Sequence, residues 1–144
     1  MANSIQYAKT QTTPVTKLDT NELGGRVRMA FAEYEAATEQ STITMFSLPN
    51  GARLLSGAVS HDALNSSTTL SVGYAAHTKA DGTAQALDVD EYKAAAASTS
   101  ATSSDCLVTM ALGKNSVLDA NEDGVPITVT LAGADGAGTI QLQM

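Results

Sequence analysis

Tryptophan is absent from this sequence, and two phenylalanines and four tyrosines are all the aromatic mass it has. A hydrophobic core must therefore be filled by valine, leucine, isoleucine, methionine and alanine. A single cysteine, Cys106, excludes an intramolecular disulfide. Its run, Cys-Leu-Val-Thr-Met-Ala-Leu, reads as a strand in which the thiol is a small, buried, inert hydrophobe. No apolar run approaches the ~20 residues that span a bilayer, so no membrane partner is expected. No basic stretch followed by an apolar one opens the chain, so synthesis and folding in a cytoplasm are expected. The Asn65-Ser66-Ser67 sequon carries no meaning in that setting.

Basic residues are scarce as well, eight Lys and Arg against fifteen Asp and Glu, for a net charge of −7. The imbalance is uneven. Residues 1–28 hold Lys9, Lys17, Arg26 and Arg28 against Asp19 and Glu22, whereas residues 29–144 hold four bases against thirteen acids. An acidic body repels phosphates, which excludes nucleic acid as its partner.

Catalytic groups are thin on the ground. His61 and His77 are the only histidines, both in polar stretches where solvated side chains are expected. A metal-dependent barrel enzyme needs several histidines converging from different strands. No Gly-x-Ser-x-Gly elbow is present to set up a serine nucleophile. Glu33, Glu35 and Glu39 stand in a solvated stretch with no aromatic platform for a sugar. The glycine-rich Gly133, Gly136, Gly138 segment lacks a phosphate-loop lysine and precedes a strand, not a helix. These features predict a non-enzymatic protein without a cofactor.

What the sequence does have is short alternating apolar runs between turns. Residues 1–24 are polar and threonine-rich, and Tyr7, Val15, Leu18 and Leu23 are spaced too widely for an amphipathic helix. They predict an extended arm that orders only against a partner. From residue 25 onward, Val27, Met29 and Phe31 predict the apolar face of a first strand, with Arg26 and Arg28 on its other face. Glu33 to Ser41 reads as a polar connector, followed by a strand at Ile43–Leu48 and a turn at Pro49-Asn50-Gly51. Ala52–Ser60 predicts a strand with a bulge at Gly57, and Thr69–Tyr74 another, through Leu70, Val72 and Tyr74. Ala80-Asp81-Gly82 is a turn. Ala86–Ser98, with four consecutive alanines and Asp88 or Asp90 as cap, predicts one short Ala-rich helix. Thr99–Ser104 reads as a loop. Strands follow at Cys106–Leu112, Pro126–Ala132 and Thr139–Met144, the last two joined by a hairpin loop at Gly133–Gly138. Seven strands, with an eighth near Thr83–Leu87, predict a mainly all-β domain over 25–144, an antiparallel β-sandwich of jelly-roll type. A closed barrel is the second architecture.

One motif is suggestive of metal. Asp119, Asn121 and Asp123 with Gly124 match the opening of a calcium loop. The twelfth position is Thr130 where a bidentate glutamate belongs, and a strand follows instead of a helix. An acidic turn between strands is the simpler reading.

Four segments together carry a resemblance: the arm exit Lys17–Phe31 (KLDTNELGGRVRMAF), the strand–turn–strand Met45–Ser60, Thr68–Tyr74 (TTLSVGY), and the closing Thr128–Met144 (TVTLAGADGAGTIQLQM). They resemble the small capsid decoration, or cement, proteins of tailed bacteriophages. The resemblance implies a structural virion protein, bound to the major capsid protein at capsomer joints on the outer head surface and to itself as dimer or trimer. It also implies that the arm is the anchor, with Tyr7, Val15, Leu18, Leu23, Arg26 and Arg28 as capsid-binding residues. Two other readings compete. A head-fibre or tail component binding host glycans would need more aromatic faces than Tyr34, Tyr74 and Tyr92 offer. A small jelly-roll enzyme would need metal-binding histidines that two loops do not supply.

Overall fold

The computed structural model describes residues 4, 8–9, 11–12, 25–39 and 41–144. Among these residues ten strands run in chain order: β1 (Phe31–Glu39), β2 (Thr42–Leu48), β3 (Gly57–His61), β4 (Thr69–Tyr74), β5 (His77–Thr78), β6 (Ala84–Gln85), β7 (Asp88–Ala97), β8 (Thr102–Cys106), β9 (Val125–Ala132) and β10 (Gly136–Gln143). They build two four-stranded sheets, ordered β1-β10-β3-β8 and β2-β9-β4-β7, and β5 pairs with β6 in a small ribbon. Every strand pairing is antiparallel.

Period-two patterning explains why the two sheets meet face to face. Ile140 and Leu142 of β10 and Val59 of β3 point inward from one sheet, and Ile127, Val129 and Leu131 of β9 with Leu70 and Val72 of β4 point inward from the other. Thr139, Gln141 and Gln143 fall on the outer face of β10, as the alternation predicts. The turn at Pro49-Asn50-Gly51 forms as expected, with Gly51 at a φ of 76° and the Ala52 N–H donating to the Pro49 carbonyl. The Ala80-Asp81-Gly82 turn joins β5 to β6, with Gly82 at a φ of 86°.

Several expectations are overturned, each for a physical reason. The acidic stretch expected as a connector is strand β1. Its inward positions are Ala32, Tyr34 and Ala36, and its outward glutamates are engaged by the neighbouring strand. The Gln141 amide donates to Glu33 at 2.7 Å and the Thr139 hydroxyl to Glu35 at 2.8 Å.

The Ala-rich segment is strand β7, not a helix. Alanine's helical advantage is only about 0.5 kcal/mol per residue. Pairing along β4 and burial of Tyr92, 3% exposed, outweigh it. Gly73 on β4 permits this pairing, because a methyl there would overlap the Asp88 carbonyl.

The expected loop Thr99–Ser104 contributes to strand β8, where the Ser60 hydroxyl donates to that of Ser103 across the ladder. The expected strand at Cys106–Leu112 stops instead after Cys106. Leu107 sits in the left-handed region at a φ of 56°, and Met110–Leu112 forms a single 3₁₀ turn ended by Gly113. The Gly133–Asp135 connector is not a hairpin, since β9 and β10 lie in opposite sheets. Gly57 opens β3 in regular register, without a bulge.

Candidate functional site

The site expected from sequence was the arm and its exit. Tyr7, Val15, Leu18 and Leu23 lie outside the described residues. Arg26 and Arg28 are described, and both are exposed. The segment Gly25–Ala30 runs ahead of β1 as an irregular ribbon, tied at its end by the reciprocal Ala30–Met144 backbone pair at 2.8 and 3.0 Å. Val27, Met29 and Phe31 do not enter the core. They are 82%, 72% and 55% exposed. The alternation seen in the sequence is real, but both faces of this ribbon meet solvent. The expected core face is a surface.

The ribbon borders a groove of about 220 Å³ at the same end of the sheet, lined by Met29, Gly57, Ala58, Asp105, Gln143 and Met144. Gly57 keeps it open toward β10, since a methyl at that position would stand 3.0 Å from the Gln143 carbonyl and the Met144 side chain. Chemically the ribbon and groove offer apolar contact beside two guanidinium groups. Such a surface offers apolar and charge-assisted contact.

A second concavity, about 170 Å³, gathers residues the sequence left scattered: Tyr74, His77, Gln85, Glu91, Tyr92 and Asp119 are among its walls. Tyr74 meets His77 edge-on at 5.2 Å and Tyr92 at 6.0 Å, and its hydroxyl accepts from the Gln85 amide at 3.0 Å. The Tyr92 ring is packed as floor, so it presents little open face for a sugar. Burial raises the Glu91 carboxyl above its ordinary value, with Asp88 and Asp90 adding to the effect.

The acidic turn is held by its own side chains. The Asn121 amide donates to Asp123 at 2.9 Å, Asn121 Oδ1 accepts the Asp123 N–H at 3.0 Å, and Asp119 Oδ1 accepts the Ala80 N–H at 3.0 Å. The three side chains therefore brace turns and do not converge on one point. His61 was expected in solvent, yet it is only 8% exposed, with Nδ1 2.7 Å from the Asp62 carbonyl oxygen. It closes β3 rather than lining either concavity.

No family model matches the chain, and no curated protein matches it. Among solved structures, a chain in the capsid of Ralstonia phage GP4 is similar, with 21% identity and a TM-score of 0.61 over 83% of this chain and 82% of that one. The cyanophage Pam1 capsid asymmetric unit contains another, with 20% identity and a TM-score of 0.50 over 81% of each chain. The fold is one found in phage capsids. At these identities the likeness is one of fold, and the resemblance read from the sequence is met at that level.

The exposure of the ribbon escaped sequence reasoning because period-two alternation marks a strand without saying whether a second layer covers it. The only cue was chemical. A face of Val, Met and Phe backed by two arginines is unusual for a strand buried at a sheet edge.

Proposed function

We propose that this chain is a structural, non-enzymatic protein of a phage virion, seated on the outer capsid surface at capsomer joints, where it stabilises the shell. The observation that carries the reading is its fold likeness, over more than four-fifths of both chains, to a chain of the Ralstonia phage GP4 capsid. The strand order supports a jelly roll, since two sheets ordered β1-β10-β3-β8 and β2-β9-β4-β7 are what paired Greek keys produce. In this reading residues 1–24 are an extended arm and 25–144 the β domain. The arm engages the major capsid protein through Tyr7, Val15, Leu18 and Leu23, and Arg26 and Arg28 contribute at its exit. Ordering the arm costs entropy, which contact along a shell offsets, and many copies on one particle make weak contacts sufficient.

The test is co-sedimentation of purified protein with phage heads that lack it, for the full chain and for a form without residues 1–24. Binding by the full chain, its loss on truncation, and a higher temperature of DNA release from decorated heads are expected. Equal binding by the truncated form would overturn the arm's role. No binding by either form would overturn the capsid reading.

A further inference from the structure

The concavity of about 170 Å³ that Tyr74, His77 and Tyr92 share has no part in the capsid reading, yet its walls are firmly built. β7 is distorted where it enters the site. Val72 of β4 stands opposite Lys93 and Tyr74 opposite Asp88, so β7 spends positions 89–92 where β4 spends Gly73 alone. An excess of this kind bulges a strand and re-aims its side chains. Here it turns Tyr92 into the core and leaves Glu91, partly buried, on the cavity wall.

Tyr92 is a fixed floor. A methyl at Gly113 would stand 2.7 Å from its ring, and its carbonyl accepts the Leu107 N–H at 2.9 Å. The wall carrying Ser116–Asp119 is tied as well: the Leu118 N–H donates to the Ala52 carbonyl at 2.9 Å and the Leu54 N–H to the Ser116 carbonyl at 3.0 Å. The Asn121 N–H donates to the Thr78 carbonyl at 2.8 Å, which holds that segment against β5. A site braced in this way is pre-formed for a ligand. Its volume lies below the ~300 Å³ of drug-sized pockets, which restricts the ligand to a few heavy atoms.

The planes of Tyr74 and His77 stand 81° apart, and those of Tyr74 and Tyr92 stand 55° apart. Rings at steep angles make a corner, not the flat platform a sugar needs. A compact cation within ~6 Å of such rings is attracted by them, as in aromatic cages that recognise ammonium groups. Glu91 and Asp119 add negative charge to the lining, and burial, then Asp88 and Asp90, raise the Glu91 carboxyl. Lys79 is the one lysine or arginine among the described lining residues. Its counter-charge is at hand in Asp81, whose carboxyl is held low first by hydrogen bonds from Thr83 and also by Lys79. An anion would be repelled by Glu91 and Asp119, and a purely apolar ligand would leave them unmatched.

We propose that this concavity binds a primary ammonium on a short aliphatic stem, its charge against Glu91 and its stem along Tyr74 and Val117. A free aliphatic diamine and the end of a neighbouring protein's lysine side chain share that chemistry. The site goes beyond the capsid reading and does not depend on it.

NMR titration of the full chain with putrescine, and separately with acetyl-lysine amide, provides the test at constant ionic strength. Saturable shifts of the Tyr74, His77 and Tyr92 ring signals are expected, with a dissociation constant of roughly a millimolar. Tighter binding of putrescine assigns the site to free amines, and tighter binding of the lysine derivative assigns it to a protein side chain. Glu91→Gln should weaken either probe at least roughly tenfold. Asp135→Asn, which removes an exposed charge outside this lining, should leave binding unchanged. Unchanged thermal melting would confirm that both variants fold. No saturable shift with either probe, an equal response to the neutral diol of putrescine's length, or equal binding by Glu91→Gln would each overturn the proposal. A silent pocket in a protein that still binds phage heads would overturn it while leaving the capsid reading intact.

Discussion

Cys106 shows how completely position decides the chemistry of one side chain. It closes β8 and is 3% exposed, and burial pushes its thiol up to about 11 from the ordinary 9.0, with Asp105 reinforcing the shift and Lys93 opposing it. Because the folded value is raised, the stability this group contributes is whole below pH 9 and is lost as pH climbs toward 11. Denaturant unfolding across that window should show falling stability, and Cys106→Ala should flatten that part of the decline. Burial of this thiol was legible in its apolar neighbours. The positive φ of Leu107 one position later was not, because leucine gives no local sign of a left-handed turn. Site residues divide similarly. Arg26 and Arg28 were named from the sequence, whereas the meeting of Tyr74, His77 and Tyr92 depends on strands far apart in the chain.

Among the elements, those with one strongly apolar face were readable: β9 and β10 largely follow their alternation, and β4 carries Leu70 and Val72 inward as expected although Ser71 and Gly73 on its other face are buried as well. The four-stranded-sheet strands that escaped were β1, β7 and β8, which are rich in alanine, serine, threonine or acid. All three are edge strands, where only one face or one ladder needs satisfying and composition is free to look like loop or helix. For β7 the distinction is open to experiment. Ala97 stands opposite Thr69 on β4, so Ala97→Thr creates a cross-strand threonine pair. A gain of a few tenths to about 1 kcal/mol in urea unfolding is expected from a strand. A helix would lose stability by the same change, since threonine ranks well below alanine there.

For the molecule as a whole, order along the chain and order in space are nearly unrelated. The Gln141–Glu33 hydrogen bond spans 108 positions, and β9 and β10, neighbours in sequence, belong to different sheets. Nonlocal pairing of this kind demands loop closure before contacts reward it. Refolding from denaturant, followed by tyrosine fluorescence, should therefore take roughly milliseconds to seconds rather than microseconds. The sequence showed that strands would form and where most turns fall. It did not show which strands pair, because inward-facing valines and isoleucines are interchangeable as neighbours.

The pairing of β1 with β10 also bears on how the chain leaves the ribosome. β1 emerges early, yet among the described strands its partner in the sheet is β10, which follows 108 positions later at the Glu33–Gln141 pair. Until β10 has been made, that ladder of β1 stands open to pairing with other strands. Glu33 and Glu35, which in the finished protein merely accept hydrogen bonds from Gln141 and Thr139, serve during that wait as a charged guard against pairing with the wrong strand.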